Sequence, residues 1–141
     1  MVKIGLLGVG HLGKIHLKCL QAIDSLIVTG FYDPNDTNAH KVLQDYSNLK
    51  RFSTIDELIA QSTAVDIVTP TTTHFELAAA AIKAGKHVFI EKPLTHTLAE
   101  AKKLVALSTH HKVKVQVGYV ERFNPAFLAI QHIPVHHPNL H

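Results

Sequence analysis

Gly8-Val9-Gly10-His11-Leu12-Gly13 stands between an apolar run, Val2-Lys3-Ile4-Gly5-Leu6-Leu7, and a Leu-rich stretch with helical spacing. No other feature of the chain constrains its fold as much. A glycine at 8 permits a tight strand-to-helix turn, one at 10 lets a pyrophosphate approach the backbone, and one at 13 lets the helix press close on the strand. Phosphates held there rest on the free N–H groups and positive dipole of the helix that starts near His11. Glycine spacing of this kind also arises by chance in flexible loops. The strand pattern before it and the helix pattern after it mark it as a dinucleotide-binding turn, so Gly8, Val9, Gly10, His11, Leu12 and Gly13 are the expected cofactor contacts.

A second apolar run, Leu26-Ile27-Val28-Thr29-Gly30-Phe31-Tyr32, ends at Asp33, where such a motif requires a carboxylate. A carboxylate there accepts hydrogen bonds from both ribose hydroxyls of adenosine and repels a 2′-phosphate. Pro34, Asn35, Asp36 and Thr37 follow, so no cation stands nearby in sequence to neutralise such a phosphate. NAD is therefore expected over NADP. The plainer alternative is that Asp33-Pro34-Asn35-Asp36 is a polar turn in which aspartate only caps the backbone.

With 141 residues, 46% hydrophobic and 18% charged, the chain suits one folded domain with a substantial core. Its formal charge is only +3 and its cations form no run longer than Lys102-Lys103, which points to neither nucleic acid nor a membrane surface as partner. No apolar stretch approaches the ~20 residues that span a bilayer, and Met1-Val2-Lys3-Ile4-Gly5 reads as an opening strand rather than a signal peptide. The single cysteine, Cys19, cannot form an internal disulfide, which suits a cytoplasmic setting. Twelve histidines are many for this length, and His132, His136, His137 and His141 crowd the C-terminus. Their i,i+4 pairs resemble helical zinc ligands, but Pro134 and Pro138 interrupt any helix presenting them, and no metal site is expected.

β-branched runs alternate with helical ones, the pattern of parallel βαβ units. Strands are expected at Val2–Leu7, Leu26–Tyr32, Leu49–Phe52 (short and weak), Ala64–Thr69, Lys86–Ile90 and Val113–Val117. Helices are expected from Asn35 to Tyr46, from a capping box at Ser53-Thr54-Ile55-Asp56-Glu57, from about His74 to Ala84 with Gly85 as its stop, and from the capping box Thr97-Leu98-Ala99-Glu100 to about His110. The fold class is thus α/β, a doubly wound parallel sheet of about six strands. Residues 1–124 are the expected dinucleotide-binding domain, and residues 125–141 the start of a connection onward.

Three further stretches fall at the carboxyl ends of expected strands, where ligands bind in this architecture. They are Thr69-Pro70-Thr71-Thr72-Thr73-His74, Glu91-Lys92-Pro93-Leu94, and Gly118-Tyr119-Val120-Glu121-Arg122-Phe123-Asn124-Pro125. With the glycine turn they resemble the N-terminal domain of the glucose–fructose oxidoreductase, inositol dehydrogenase and rhizopine-catabolism (Gfo/Idh/MocA) family, from Met1 to about Pro125. The Glu-Lys-Pro tripeptide is the most specific mark of the resemblance. It implies that Thr69, Pro70, Thr71 and His74 contact the cofactor's diphosphate and ribose. It also implies that Glu91 and Lys92 are among the cofactor contacts, with Glu91 shaping the turn, often with a cis peptide at Pro93, and Lys92 beside the nicotinamide ribose and the substrate hydroxyl as the catalytic group. Tyr119 and Arg122 would border the substrate side of the cleft. For His74 and Lys92 the plainer alternatives are a helix-start residue without a ligand and an idle surface lysine.

The resemblance further implies NAD-dependent oxidation or reduction of a sugar-like small molecule, with a nucleotide sugar as one possibility. The family's second, α+β substrate domain is not among these residues, so this stretch alone is expected to bind NAD(H) and to catalyse poorly. Without that cover, Phe123, Phe127, Leu128 and Ile130 form an apolar patch, and a homo-oligomer is expected. The rival reading is a free-standing NAD(H)-binding sensor or scaffold without chemistry; it needs neither Lys92 nor Arg122. A methyltransferase would share the sheet but has no use for the Glu-Lys-Pro turn.

Overall fold

The computed structural model describes residues 1–130. Strands β1 (Val2–Leu7), β2 (Leu26–Tyr32), β3 (Ala64–Ile67), β4 (His87–Ile90) and β5 (Val115–Val117) form one sheet in the order β2-β1-β3-β4-β5, and every pairing is parallel. Helices α1 (His11–Gln21), α2 (Asp36–Asp45), α3 (Ile55–Gln61), α4 (Thr71–Lys83) and α5 (Leu98–His111) lie between and after them, followed by a 3-10 turn (Val120–Phe123) and α6 (Pro125–Ile130).

Adjacent residues of β1 send their side chains to opposite faces, and two cores result. Leu6 joins Val9, Leu17, Phe31, Ala39 and Val42 beneath α1 and α2. Leu7 joins Leu58, Val65, Ile67, Ala78, Ile82, Ile90 and Leu104 beneath α3, α4 and α5. Helices thus cover both faces, and β3 is buried on both sides, Val65 and Ile67 in one core and Asp66 facing α1 on the other. Leu17 is fully buried where α1 crosses the sheet, and truncating such a side chain to alanine costs about 2–5 kcal/mol.

Among the described residues the sheet has five strands, not the expected six. Residues 49–52 lie beside β2, where an outer strand belongs, but make only an isolated bridge between Phe31 and Arg51. Two backbone bonds flank it, Phe31 N–H to the Lys50 carbonyl at 2.9 Å and Phe52 N–H to the Phe31 carbonyl at 2.8 Å. The cause is local. Only Leu49 and Phe52 there are apolar, and by Thr54 the chain is already capping α3, accepting the Glu57 N–H at 3.2 Å.

Helix boundaries follow the caps. Thr97 and Glu100 form the reciprocal capping box at the start of α5, with bonds of 3.2 and 3.0 Å. α4 ends in a Schellman motif, in which Gly85 (φ +74°) donates to the Ile82 carbonyl and Lys86 to the Ala81 carbonyl, at 2.9 and 3.0 Å. α4 begins at Thr71 rather than His74, because Pro70 is extended (φ −58°, ψ 141°) and the chain turns helical directly after it. The histidine tail at 132–141 lies outside the described residues.

Candidate functional site

In a parallel sheet all strands end on one edge, so Gly8, Asp33, Val68-Thr69, Glu91-Lys92 and Gly118-Tyr119 arrive together there. Gly8 takes φ +89°, and a Cβ on it would meet the Val68 carbonyl oxygen at 2.5 Å; only glycine suits that place. A Cβ on Gly13 would collide with the Gly8 carbonyl oxygen, so the helix touches the strand through bare backbone. Nothing lies within 4 Å of a Cβ built on Gly10, leaving open space in front of the helix. The start of α1 has no side-chain cap and no acidic residue in its first turn. The N–H groups of Gly10, His11, Leu12 and Gly13 and the dipole behind them therefore face that space without an internal anion, the arrangement that takes a phosphate.

Asp33 is buried, with its carboxylate fixed by the turn. Oδ2 accepts the Val9 N–H at 2.8 Å and Oδ1 the Asn35 N–H at 2.8 Å, with Asn38 Nδ2 at 3.5 Å from Oδ2. These bonds join β2's end to the glycine turn and leave Oδ1 a further lone pair for a ribose hydroxyl, with Oδ2 open to a second one where the long Asn38 contact yields. A cleft of about 550 Å³ opens at this point, lined by Gly8, Gly10, Asp33, Asn38, Ile55, Thr69, Pro70, Thr73 and Leu77 among others, within the size range of cofactor sites. Its apolar flank (Ile55, Leu77) suits a purine ring, and its polar rim suits ribose. The residues thus fit an adenine dinucleotide.

Not every expected contact has the expected role. Gly8, Gly10, Asp33, Thr69 and Pro70 reach the cleft, Gly13 is buried against Gly8 behind it, and His11 and Leu12 are exposed at the start of α1. Val9 contributes only its backbone, since its side chain is buried in the core. Thr71 opens α4, half-buried. His74, assigned by resemblance to the cofactor, is 1% exposed; its Nδ1 lies 2.9 Å from the Pro93 carbonyl oxygen and its Nε2 2.9 Å from the Thr69 carbonyl oxygen. It clips the Thr-Pro turn to the Glu-Lys-Pro turn and has no ring nitrogen left for a ligand. Glu91 is likewise buried and turned inward, its Oε2 accepting the Lys92 N–H at 3.0 Å. The Lys92–Pro93 peptide is cis. Lys92, Tyr119 and Arg122 are exposed on this edge.

Two features escaped the sequence. Arg51 reaches the Asp33 loop from the bridge segment, donating Nη2 to the Asp33 carbonyl oxygen at 3.0 Å and to Asp36 Oδ1 at 2.7 Å, and it holds the Asp36 carboxyl below its usual range. A cation thus stands beside the ribose end of the cleft after all, already paired with Asp36. The second is His16, which touches both Asp66 and Glu91. One signal could have exposed it: Asp66 is a lone carboxylate inside the buried run Ala64-Val65-Asp66-Ile67, and such a charge requires a partner.

Among the described residues no helix is long and apolar enough to cross a membrane. Residues 2–119 match the family described as "Oxidoreductase family, NAD-binding Rossmann fold" (GFO_IDH_MocA). The UDP-N-acetylglucosamine 3-dehydrogenase of Acidithiobacillus ferrooxidans is 38% identical over 125 residues, covering 89% of this chain and 39% of that protein. Its solved structure superposes with a TM-score of 0.85 at 35% identity, covering 95% of this chain and 42% of that one. The inositol 2-dehydrogenase of Rhizobium meliloti is 32% identical over 130 residues, covering 92% of this chain and 39% of that protein. A structure of GenD2 from gentamicin A biosynthesis, solved in complex with NAD, superposes with a TM-score of 0.84 at 25% identity, covering 91% of this chain and 37% of that one. The chain therefore spans only about two fifths of the relatives it matches. The glycine turn, the Asp33 carboxylate and the match across residues 2–119 agree: this chain belongs to the Gfo/Idh/MocA oxidoreductase family and is an NAD-binding Rossmann domain of it.

Proposed function

We propose that these residues are the cofactor-holding part of an NAD(H)-dependent dehydrogenase that acts on a secondary alcohol of a sugar-like molecule, a nucleotide-activated sugar foremost. The observation that carries this is the shared edge of the sheet, where an uncapped helix start and the Asp33 carboxylate open on one cleft and Lys92 stands at the end of β4. The similarity to the UDP-N-acetylglucosamine 3-dehydrogenase of Acidithiobacillus ferrooxidans favours the nucleotide sugar.

Bound NAD supplies hydride acceptance or donation, which no side chain can perform. The protein's part is to bind and orient. Asp33 accepts the adenosine ribose hydroxyls, the N–H groups at the start of α1 hold the diphosphate, and Thr69, Pro70 and Thr71 form the facing wall. Lys92 orients the substrate oxygen, giving it a proton from the ammonium when a carbonyl is reduced and taking the hydroxyl proton as the neutral amine when an alcohol is oxidised. Tyr119 and Arg122 border the substrate, with Arg122 suited to an anionic group such as a diphosphate. Residues 1–124 make up this cofactor domain, 125–141 begin the connection to an α+β substrate domain, and the lone thiol of Cys19 suits a cytoplasmic protein. Phe123, Phe127, Leu128 and Ile130 are all exposed, and where no second domain covers them they favour self-association of this stretch into a homo-oligomer; light scattering that finds only monomer of these residues at high concentration would count against it.

Calorimetric titration with NADH and NADPH tests the cofactor assignment. Saturable binding of NADH, tighter than NADPH, is expected; no binding, or a preference for NADPH, refutes it.

A further inference from the structure

Three titratable side chains, none of them lining the cleft, form a connected chain. His16 points from the second turn of α1 toward the sheet, with Nδ1 2.9 Å from Asp66 Oδ2 on β3 and Nε2 3.2 Å from Glu91 Oε1 just past β4. The ring stands edge-on to Phe89 of β4, with centroids 5.8 Å apart. Glu91 Oε2 in turn accepts the backbone N–H of Lys92 at 3.0 Å. From the β5 side, a Cβ on Gly118 would come within 2.6 Å of Glu91 Oε1, so the bare glycine gives that carboxylate its room. The His16, Asp66 and Glu91 side chains are only 16%, 2% and 8% exposed.

A carboxylate can only accept, and this ring meets one at each nitrogen. The doubly protonated ring donates to both, whereas a neutral ring keeps one contact and turns a lone pair on the other carboxylate. We propose that His16 is a positioning residue, an imidazolium that ties the helix behind the glycine turn to the turn bearing Lys92. It sets the diphosphate cradle and the Lys92 amine in one fixed relation without touching either ligand. The groups facing the ring are Asp66 from β3 and Glu91 from the end of β4, with Phe89 the uncharged third neighbour. The hydrogen bond that His16 gives Asp66 is the main influence raising His16 above its ordinary value, against burial, and Glu91 adds to it. Burial likewise pushes Asp66 up, and its Oδ1 has no hydrogen-bond partner among the described residues. The tie needs His16 protonated and Asp66 ionised, so it weakens as pH falls through the raised Asp66 value and is lost as pH rises through the raised His16 value.

The tie itself stands apart from the proposed dehydrogenase function; only its consequence for the chemistry rests on that reading. Nitrogen-15 NMR of the chain from about pH 5 to about pH 9, around the ordinary histidine value, tests it directly. Both ring nitrogens of His16 should carry protons near neutrality, and the Lys92 backbone amide should shift along the same titration curve. In Glu91→Gln the Lys92 amide should no longer follow the ring, and His16→Gln should weaken NADH binding about tenfold in calorimetry. A ring singly protonated near neutrality, or a Lys92 amide that stays flat while His16 titrates, overturns the proposal. The wild-type titration decides the matter even if His16→Gln fails to fold. Absence of NADH binding by the wild type would refute the proposed function and leave the NMR result readable.

Discussion

Replacing Asp33 by asparagine separates the charge of this side chain from its shape, and both consequences can be estimated. In the folded chain the carboxylate accepts two backbone N–H bonds of 2.8 Å, from Val9 and Asn35. Hydrogen bonds to a charged group contribute about 1.5–3 kcal/mol each. Asparagine keeps one acceptor and turns an N–H on the other donor, so the loss is about one such bond. At about 3–6 °C per kcal/mol for a domain of this size, Tm should fall by about 5–15 °C while the fold survives. The cofactor effect follows from Coulomb's law. A carboxylate about 4 Å from a unit negative charge is repelled by about 1 kcal/mol in water and about 4 kcal/mol at an effective dielectric constant of 20. A 2′-phosphate of charge about −1.5 to −2 in a cleft open to solvent falls toward the lower bound, about 2–4 kcal/mol, or about 30- to 1,000-fold in favour of NADH. The asparagine variant should lose most of that preference: NADH should weaken about tenfold and NADPH should bind more tightly than to wild type. Arg51, 3.0 Å from the Asp33 carbonyl oxygen, is then the nearest cation for the phosphate, so adding Arg51→Ala should abolish the NADPH gain. Calorimetric titration of wild type, Asp33→Asn and the double variant checks all three. An asparagine variant with undiminished discrimination refutes the charge argument.

Gly13→Ala drives a methyl group into the Gly8 carbonyl, so α1 must lift from β1; NADH binding should fall by at least about tenfold, and wild-type affinity would mean that the contact is slack. Lys92→Met should change NADH affinity by less than about fivefold, because an exposed ammonium contributes about 1 kcal/mol or less to a charged partner. A hundredfold loss would make Lys92 a cofactor anchor rather than a group that serves the substrate. His16 and Asp66 both titrate above their ordinary values, so their share of stability is complete at low pH and declines as pH rises through the raised values. Urea midpoints should therefore fall on the alkaline side in wild type and stay flatter in His16→Gln, and an equal slope in both would remove the cluster from the pH dependence.

What the sequence made legible was whatever local backbone chemistry dictates. The glycine turn, the Asp33 position, both helix starts at Thr54 and Thr97 and the Schellman stop at Gly85 each follow from a few neighbouring residues, and each lies where local rules put it. Leu49–Phe52 was misread because two apolar residues in a short run resemble a strand, while pairing depends on a neighbour supplied from elsewhere. His74 and Glu91 reach the site's neighbourhood, yet their side chains serve contacts with Thr69, Pro93 and His16 across the fold. Arg51 and His16 were invisible for the same reason: their partners lie 15 and 50 residues away, and no periodicity records such a meeting.

On our proposal the sheet edge carries an adenine dinucleotide with the Lys92 amine at its reactive end. A crystal structure of the chain with NADH tests this most directly. It should show ribose hydroxyls on Asp33, diphosphate on the N–H groups after Gly10, and Lys92 Nζ within about 2.7–3.2 Å of the nicotinamide ribose or of a water at the substrate position. A dinucleotide seated elsewhere, or a lysine turned away from a correctly seated one, would contradict it.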